Sequence, residues 1–366
     1  MPDSRAAPLR ILHWPTDVGG HPTGLSRAER ALGLHSDVAV ITRSPFNYDV
    51  DIDLDLASRS RLRRLAGRTS MLLRAARDYD IVHLNFAQPF LPLMGGFGID
   101  LPLLKASGVR IFTTCQGCDV RIPARCAVCA TGSGPCSIND GTRRAGVARY
   151  IARWSERVFC LNPDLTDLVP DSLFMPYASI DPHAITPVFA KAYDRPLRIA
   201  HAPTDRTVKG TSAVIDAIAA LGSRVEFDLI ERLPRDQAML RYAQADIIID
   251  QLRLGWYGGL SVEAMALGKV VISRIDPALV SRVPLAMQQE LPILSADQST
   301  ISCTLDRVLA MPASQRYDLA ARSRRFAQRW HNPHALASWM HQHYRYRADG
   351  PSATQAFDPD ATAFET

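Results

Sequence analysis

The sequence predicts an α/β protein built from two doubly wound, Rossmann-like domains. Three observations carry this. The chain has 366 residues, long for one hydrophobic core and natural for two of about 180 residues each. It opens on a βαβ pattern: strand Leu9–Trp14, a glycine-rich loop through Gly19, Gly20 and Gly24, helix Ser26–Leu34 and strand Val38–Thr42. A second strand–loop–helix–strand pattern runs from Asp246 to Ile272: the apolar run Ile247–Ile249, the glycines Gly258 and Gly259, a helix over 259–267, Gly268 as its stop, and Val270–Ile272. Short apolar runs without alternation belong to parallel strands buried on both faces.

Composition fits a globular chain, with 47% hydrophobic and 22% charged residues, ordinary values for a soluble fold. The formal net charge of +5 suits an anionic substrate or a weak membrane-surface contact better than a nucleic acid, so no nucleic-acid partner is expected. The start lacks the apolar core of a signal peptide, and no apolar run reaches the roughly 18 residues of a membrane span. The expected location is the cytoplasm, with peripheral contact at the inner membrane face as an extension. Seven cysteines in a reducing compartment point to thiols or a metal rather than disulfides.

The first domain continues with a basic segment over 59–77, in which Leu62, Leu65, Leu72 and Ala76 recur at helical spacing while Arg59, Arg63, Arg74 and Arg77 tend to another face. It reads either as an interfacial helix on anionic lipid or, more plainly, as a surface helix packed on the sheet. Strands follow at Asp80–Asn85 and Val109–Thr114, and the latter leads into Gln116-Gly117-Cys118-Asp119-Val120-Arg121. Cys126, Cys129 and Cys136, with Cys118 or Cys115 as a fourth ligand, have the turn-rich look of a zinc knuckle. A structural zinc would hold an insertion (115–140) with little apolar content; a loop of reduced thiols is the alternative. Helix 146–156 and strand Val158–Leu161 follow, and Leu173–Tyr177 with Asp181 resembles a final strand and the linker into a second domain.

The second domain opens on strand Leu197–His201. Arg206 and Lys209 then precede Gly210 at the start of helix 212–221, a placement of positive charge that suits a diphosphate. Strand Val225–Ile230 ends in a loop at Glu231, and helix 235–243 leads back to Asp246. Gly258 and Gly259 bring backbone N–H groups close to whatever docks there, and the helix from Gly259 presents its unpaired amides, Leu260 included. Glu263 sits one turn in, on a helix otherwise of Leu, Val, Ala and Met. Amides for phosphate and a carboxylate for ribose hydroxyls would bind a nucleotide diphosphate. The plain alternative is a helix start carrying a solvated glutamate. A last strand near Ile293 and helices over 313–346, broken at Asn332-Pro333, follow.

The 246–272 segment resembles the donor-site signature of the retaining GT-B glycosyltransferases of family 4. Tyr257, Gly258, Glu263, Ala264, Met265, Ala266, Gly268 and Val271 match it. The first glutamate of the family's pair is Gly255 here, and its proline is Lys269. In Gln116-Gly117-Cys118-Asp119-Val120-Arg121 the family's histidine is replaced by Gln116, while Gly117, Asp119 and Arg121 stay in register. A glutamine can donate and accept hydrogen bonds but cannot take a proton at neutral pH.

The resemblance implies the GT-B fold, two domains facing across a cleft: an acceptor-side domain over 1–185 and a nucleotide-sugar domain over 186–330. A helix over 331–347 would cross back to the first domain, and a tail over 348–366 is expected to be disordered. It also implies transfer of a hexosyl group from a nucleotide sugar, UDP- or GDP-type, with retention of configuration and no cofactor for catalysis. The acceptor would be a lipid carrier, a polysaccharide or a natural product. Lys209, Arg206 and Gln116 would be the catalytic groups. Glu263, Gly258, Gly259, Leu260, Gly19, Gly20, Asp119, Arg121 and Glu231 would bind substrate. A GT-B epimerase of nucleotide sugars, or a catalytically weak donor-binding subunit, are the rival readings.

Overall fold

The structure is a computed structural model that describes residues 8–92, 98–130, 132, 136, 140–189, 195–345 and 356–360. The chain forms two compact units. The first comprises Met1–Val120, Thr142–Ala178 and Pro333–Thr366, and the second Arg121–Gly141 and Ser179–Asn332.

The first unit alternates strand and helix: β1 (Arg10–Trp14), α1 (His21–Ala31), β2 (His35–Val40), β3 (Ile52–Asp53), α2 (Arg61–Asp78), β4 (Ile81–Asn85), α3 (Asp100–Ala106), β5 (Arg110–Cys115), α4 (Asp140–Trp154), β6 (Arg157–Cys160) and β7 (Leu173–Phe174). Its strands pair in the order β3-β2-β1-β4-β5-β6-β7, all parallel. The core forms where Leu12, Trp14, Val82, Leu84 and Ile111 of the sheet meet Leu72, Ala75, Leu101, Leu104 and Ile151 of the helices. The winding direction reverses between β1 and β4, so the loops leaving these strands part and open a crevice at their carboxyl ends.

α1 begins at His21 rather than at Ser26 as the apolar spacing suggested. Gly20 takes a left-handed φ of 72° at the N-cap, and Pro22 lies in the first turn, where its missing N–H is not needed. The missed turn is packed, with His21, Pro22, Thr23 and Leu25 buried; its Pro22 and Gly24 make it read as part of the loop. α3 was not anticipated at all.

The second unit runs β8 (Leu197–His201), α5 (Arg206–Lys209), α6 (Thr211–Leu221), β9 (Val225–Leu229), α7 (Arg235–Gln244), β10 (Ile247–Ile249), α8 (Gly259–Ala266), β11 (Val270–Ser273), α9 (Pro277–Val280), α10 (Leu285–Glu290), β12 (Leu294–Ser295), α11 (Ile301–Ala310) and α12 (Ala313–Trp330). The sheet order is β12-β11-β10-β8-β9, again all parallel. Here the winding reverses between β8 and β10. Ile199, Ile247, Ile249, Val270 and Ile272 form the sheet side of the core against Val214, Ile218, Ile301 and Leu305. Gly268 stops α8 with φ 72°, and a Cβ there would lie 2.6 Å from the Phe189 ring.

The chain breaks at Asn332-Pro333, and α13 (Pro333–Arg345) packs on α1 in the first unit. Of the tail expected to be disordered, residues 356–360 are described, and Phe357 is buried with its ring 5.6 Å from that of Trp339; the rest lies outside the described residues. The cysteine-rich insertion, placed with the first domain by its sequence position, groups over 121–141 with the second unit. Among the described residues no helix is long and apolar enough to cross a membrane.

Candidate functional site

In the second unit the expected donor residues sit at the reversal point between β8 and β10. Asp205 caps α5 by accepting the Val208 N–H at 2.9 Å. Gly210, at φ 74°, turns the chain sharply into α6. This turn sends Lys209 back toward the end of β10. Its Nζ lies 2.5 Å from Asp250 Oδ1 and donates to Gln251 Oε1 at 3.1 Å.

Asp250 is fully buried. Its Oδ2 accepts the Gly258 N–H at 2.7 Å and the Ser261 hydroxyl at 2.8 Å. One carboxylate therefore ties together the end of α5, the glycine loop and the first turn of α8. Burial alone would raise its pKa, but the Lys209 ammonium, the Gly258 amide and the Ser261 hydroxyl together hold the carboxyl below the ordinary value. The approach is close enough to require glycine: a Cβ on Gly258 would lie 3.3 Å from Asp250 Oδ2 and 3.4 Å from Lys209 Nζ. The amides of Gly259 and Leu260 open α8 and, as first-turn groups, have no intrahelical acceptor. An ammonium beside a helix start is a site for a phosphate oxygen.

Glu263, one turn further on, is an acceptor held in place by Arg235, whose Nε lies 2.7 Å from its Oε1. Burial raises the Glu263 carboxyl, and the Arg235 charge opposes that rise. Arg206, expected among the catalytic groups, and Glu231, expected to bind substrate, pair with each other at 2.8 and 2.6 Å on the exposed side of the loop. In this state Arg206 does not join Lys209. Gly255, where the family carries its first glutamate, has no room for a side chain: a Cβ would meet Asp276 Cβ at 2.8 Å and Leu279 Cδ1 at 3.2 Å. Lys269, in place of the family's proline, is buried and donates to the carbonyls of Val188 and Ala243 at 2.5 and 2.7 Å. Burial pulls its ammonium down to about 8.

Asp250, Gln251, Ser261 and Arg235 were missed from sequence. A signal for Asp250 existed: a charged residue directly after the fully apolar Ile247–Ile249, at a strand's carboxyl end, is out of place unless it binds something. Arg235 gave no comparable signal.

In the first unit, Gly19 and Gly20 both take left-handed φ, 64° and 72°, and shape the loop after β1. Within that loop Asp17 is buried, accepts the Thr23 hydroxyl at 2.6 Å, and leaves Oδ1 without a donor. Burial raises its carboxyl against the Thr23 hydrogen bond. Gln116 follows β5. Its amide nitrogen faces Asn85 Oδ1 at 3.4 Å, its carbonyl accepts from Asn162 at 2.8 Å, and its buried Oε1 has no donor. Asn85 in turn reaches His13 at 3.4 Å, and His13 contacts the buried Glu29 at 2.9 Å. Asp119, expected to meet substrate, accepts the backbone N–H of Gln116 and Gly117, the latter at 2.6 Å. It sets the turn that aims Gln116. Arg121 is buried and falls in the second unit.

The cysteines separate into two groups. Cys115 lies against Cys160 on the neighbouring strand, register partners in the β5–β6 ladder. The thiols of Cys126 and Cys136 both reach Cys129, whose own thiol burial pushes up to about 11. Cys126, Val128 and Cys129 pack on Val208 and Leu254, with Cys136 beside them. Among the described residues, no group of three or more histidines, cysteines or acids is placed to hold a metal ion.

No protein-family model and no curated protein matches the chain. Solved structures do. Sucrose-phosphate synthase from Thermosynechococcus elongatus matches with a TM-score of 0.62 and 17% identity, over 92% of this chain and 98% of that one. HepE from Anabaena, solved in complex with UDP-glucose, gives 0.61 and 11% over 92% and 99%. The catalytic domain of starch synthase IV from Arabidopsis thaliana, bound to ADP and acarbose, gives 0.60 and 12% over 95% and 100%. At such identities the likeness shows the fold. The chain has the α/β architecture of GT-B glycosyltransferases, two units each built on a parallel sheet flanked by helices.

Proposed function

We propose that the protein is a glycosyltransferase that moves a hexosyl group from a nucleotide sugar to an acceptor hydroxyl with retention of configuration, in the manner of family 4. The supporting observation is the cluster at the carboxyl ends of β8 and β10: the Lys209 ammonium and the opening amides of α8, fixed by Asp250 and followed by Glu263. This is a diphosphate cradle with a ribose acceptor one helical turn away. The UDP-glucose and ADP complexes of the similar structures favour a nucleoside diphosphate as the donor's leaving group.

In the reaction we assign, the bond between the anomeric carbon and the diphosphate oxygen breaks. A bond from the acceptor oxygen forms on the same face, and the acceptor proton passes to the departing phosphate oxygen. Lys209 and the helix amides stabilise the charge that builds on the diphosphate. In the first unit, Gln116 Oε1 is the acceptor we assign to a substrate hydroxyl, since it is buried and lacks a donor. The setting we propose is the cytoplasm, with a lipid carrier, polysaccharide or natural product as acceptor.

A thermal-shift screen of UDP, GDP, ADP and dTDP, followed by incubation with the matching nucleotide sugars with and without cell extract, tests this reading. A transferase needs extract to change the sugar's bonding, an epimerase does not, and a binding subunit changes nothing. Glu263→Ala should weaken nucleotide binding by roughly 1.5–3 kcal/mol, the range for hydrogen bonds to a charged group, about ten- to a hundredfold in Kd. Calorimetry gives the number, and an unchanged constant removes Glu263 from the site.

A structural zinc on Cys126, Cys129 and Cys136, with Cys118 as fourth ligand, is part of the same proposal. The supporting observation is that the thiols of Cys126 and Cys136 each reach that of Cys129, a cluster that metal binding would have to close, with Cys118, into a four-ligand site. Zinc must displace thiol protons, so its retention should fall on acidification. Elemental analysis of protein purified without chelator should find one zinc per chain. A content near zero removes the metal and leaves a packed thiol cluster.

A further inference from the structure

Helix α2 carries two apolar faces, and only one is covered. Met71, Leu72 and Ala75 are buried in the first unit's core, while Leu62, Leu65 and Leu73 are 81%, 47% and 58% exposed. At about 100° per residue, these three leucines fall within an arc of about 80°, with Met71, Ala75 and Arg64 on the opposite side and the buried Leu72 at the edge of the stripe, about 20° beyond Leu65. Arg63, Arg74 and Arg77 border the stripe on one flank and Arg61 on the other. α3 packs on α2, and at its start Ile99 is 70% exposed and Leu103 is 42% exposed. Packing on the sheet involves the C-terminal half of the helix, and the N-terminal half stands in solvent.

The charge on this helix is one-sided. Its arginines are Arg61, Arg63, Arg64, Arg68, Arg74 and Arg77, and its one acid is Asp78. Asp78 serves Arg77 at 2.7 Å and Arg74 at 3.8 Å, and Arg68 is turned inward to the carbonyls of Pro89 and Phe90. Arg61, Arg63 and Arg64 have no ion-pair partner among the described residues. They also stand in the first turn, with no acid there, against the positive end of the helix dipole. That position is unfavourable for each positive charge in water. An anion at the helix start reverses the sign of this cost.

We propose that this face of α2, with Ile99 and Leu103 beside it, docks on an anionic lipid surface. The leucines enter the boundary between headgroups and acyl chains, and Arg61 and Arg63, on the two flanks of the stripe, meet headgroup phosphates. Nucleic acid would use the arginines but gives no reason for a leucine stripe between them. The attachment is to a surface, since no described helix spans a membrane, and it does not depend on the glycosyl-transfer reading.

Flotation with vesicles tests it, at about 0.1 M salt, where charges act over about 10 Å. The protein should float with vesicles of equal parts phosphatidylglycerol and phosphatidylcholine, and remain behind with phosphatidylcholine alone. The combined change Leu62→Ser, Leu65→Ser and Leu73→Ser should abolish flotation while the circular-dichroism melt shows a single transition well above the assay temperature, because none of the three is a core side chain. The combined change Arg61→Gln and Arg63→Gln should weaken binding about thirtyfold, at about 1 kcal/mol per arginine. Leu65→Trp should blue-shift in fluorescence on the mixed vesicles only. Absence of flotation by the unaltered protein overturns the proposal. So does binding to vesicles or to single-stranded DNA that survives the leucine changes undiminished, which would make the face a general polyanion surface.

Discussion

Asp250→Ala is expected to be the most damaging single change in the second unit. Removing one partner of a buried ion pair costs about 3–5 kcal/mol, because the other is left uncompensated. Lys209 keeps some access to water, with 12% of its side chain exposed, which places the expectation at the lower end. Asp250 also accepts from Gly258 and Ser261, so the glycine loop loses its anchor at the same time. At about 2–4 °C per kcal/mol for a domain of 150–250 residues, the melting temperature should fall by about 6–12 °C.

Asp250→Asn keeps the volume but turns one donor toward other donors, and should fall between. The pH dependence has a definite sign. The Asp250 carboxyl is held below its unfolded value, so the unfolded chain binds more protons in that interval. The stabilisation is complete above the unfolded value of about 3.9 and is lost as pH falls through the lower, folded one. A melt that moves by less than about 2 °C on Asp250→Ala, under 1 kcal/mol on the same scale, would mean that Lys209, Gly258 and Ser261 find other acceptors.

The alternation of elements in both units was legible in the sequence because each signal is local. β10 (Ile247–Ile249) is a continuous apolar stretch closed by Asp250, β8 (Leu197–His201) is apolar through Ile199 and Ala200 before His201, and Gly268 marks the end of α8. Lys209, Gly258 and Glu263 were legible because a cation, a glycine loop and a helix carboxylate stand at sequence positions with a physical reading. What stayed hidden is the convergence of side chains. The Arg235–Glu263 pair joins the starts of α7 and α8 across 28 residues. The Arg206–Glu231 pair turns two expected ligands toward each other. No periodicity encodes either, since each depends on how two loops leave one sheet. The same holds for the cysteine loop, whose packing on Val208 and Leu254 places it beside the turn carrying Lys209 rather than with the domain that precedes it in sequence.

That turn carries the second large effect. Lys209→Ala should lower kcat by about 10²–10³, the usual cost of removing one group that stabilises developing charge, while the KM for the nucleotide sugar changes far less. The physical reason lies in the pairing. In the free protein the Lys209 ammonium already has Asp250 at 2.5 Å, so a ground-state diphosphate competes with an existing partner and gains little. Charge that grows on the diphosphate as the sugar bond breaks raises the gain selectively in the transition state. Arg206→Ala is the matched comparison. Its guanidinium is exposed and satisfied by Glu231, so a reduction of less than about tenfold is expected, one oxyanion-type contact being worth about 10²–10³ only when it is made. Because Lys209→Ala also strips Asp250 of its cation, rates must be read well below the variant's melting temperature, with unchanged circular dichroism. Lys209→Arg should keep the charge but miss the point geometry and recover only part of the rate. A variant in which KM rises alone, with kcat intact, would assign Lys209 to binding and leave the helix amides of Gly259 and Leu260 as the groups that meet the departing charge.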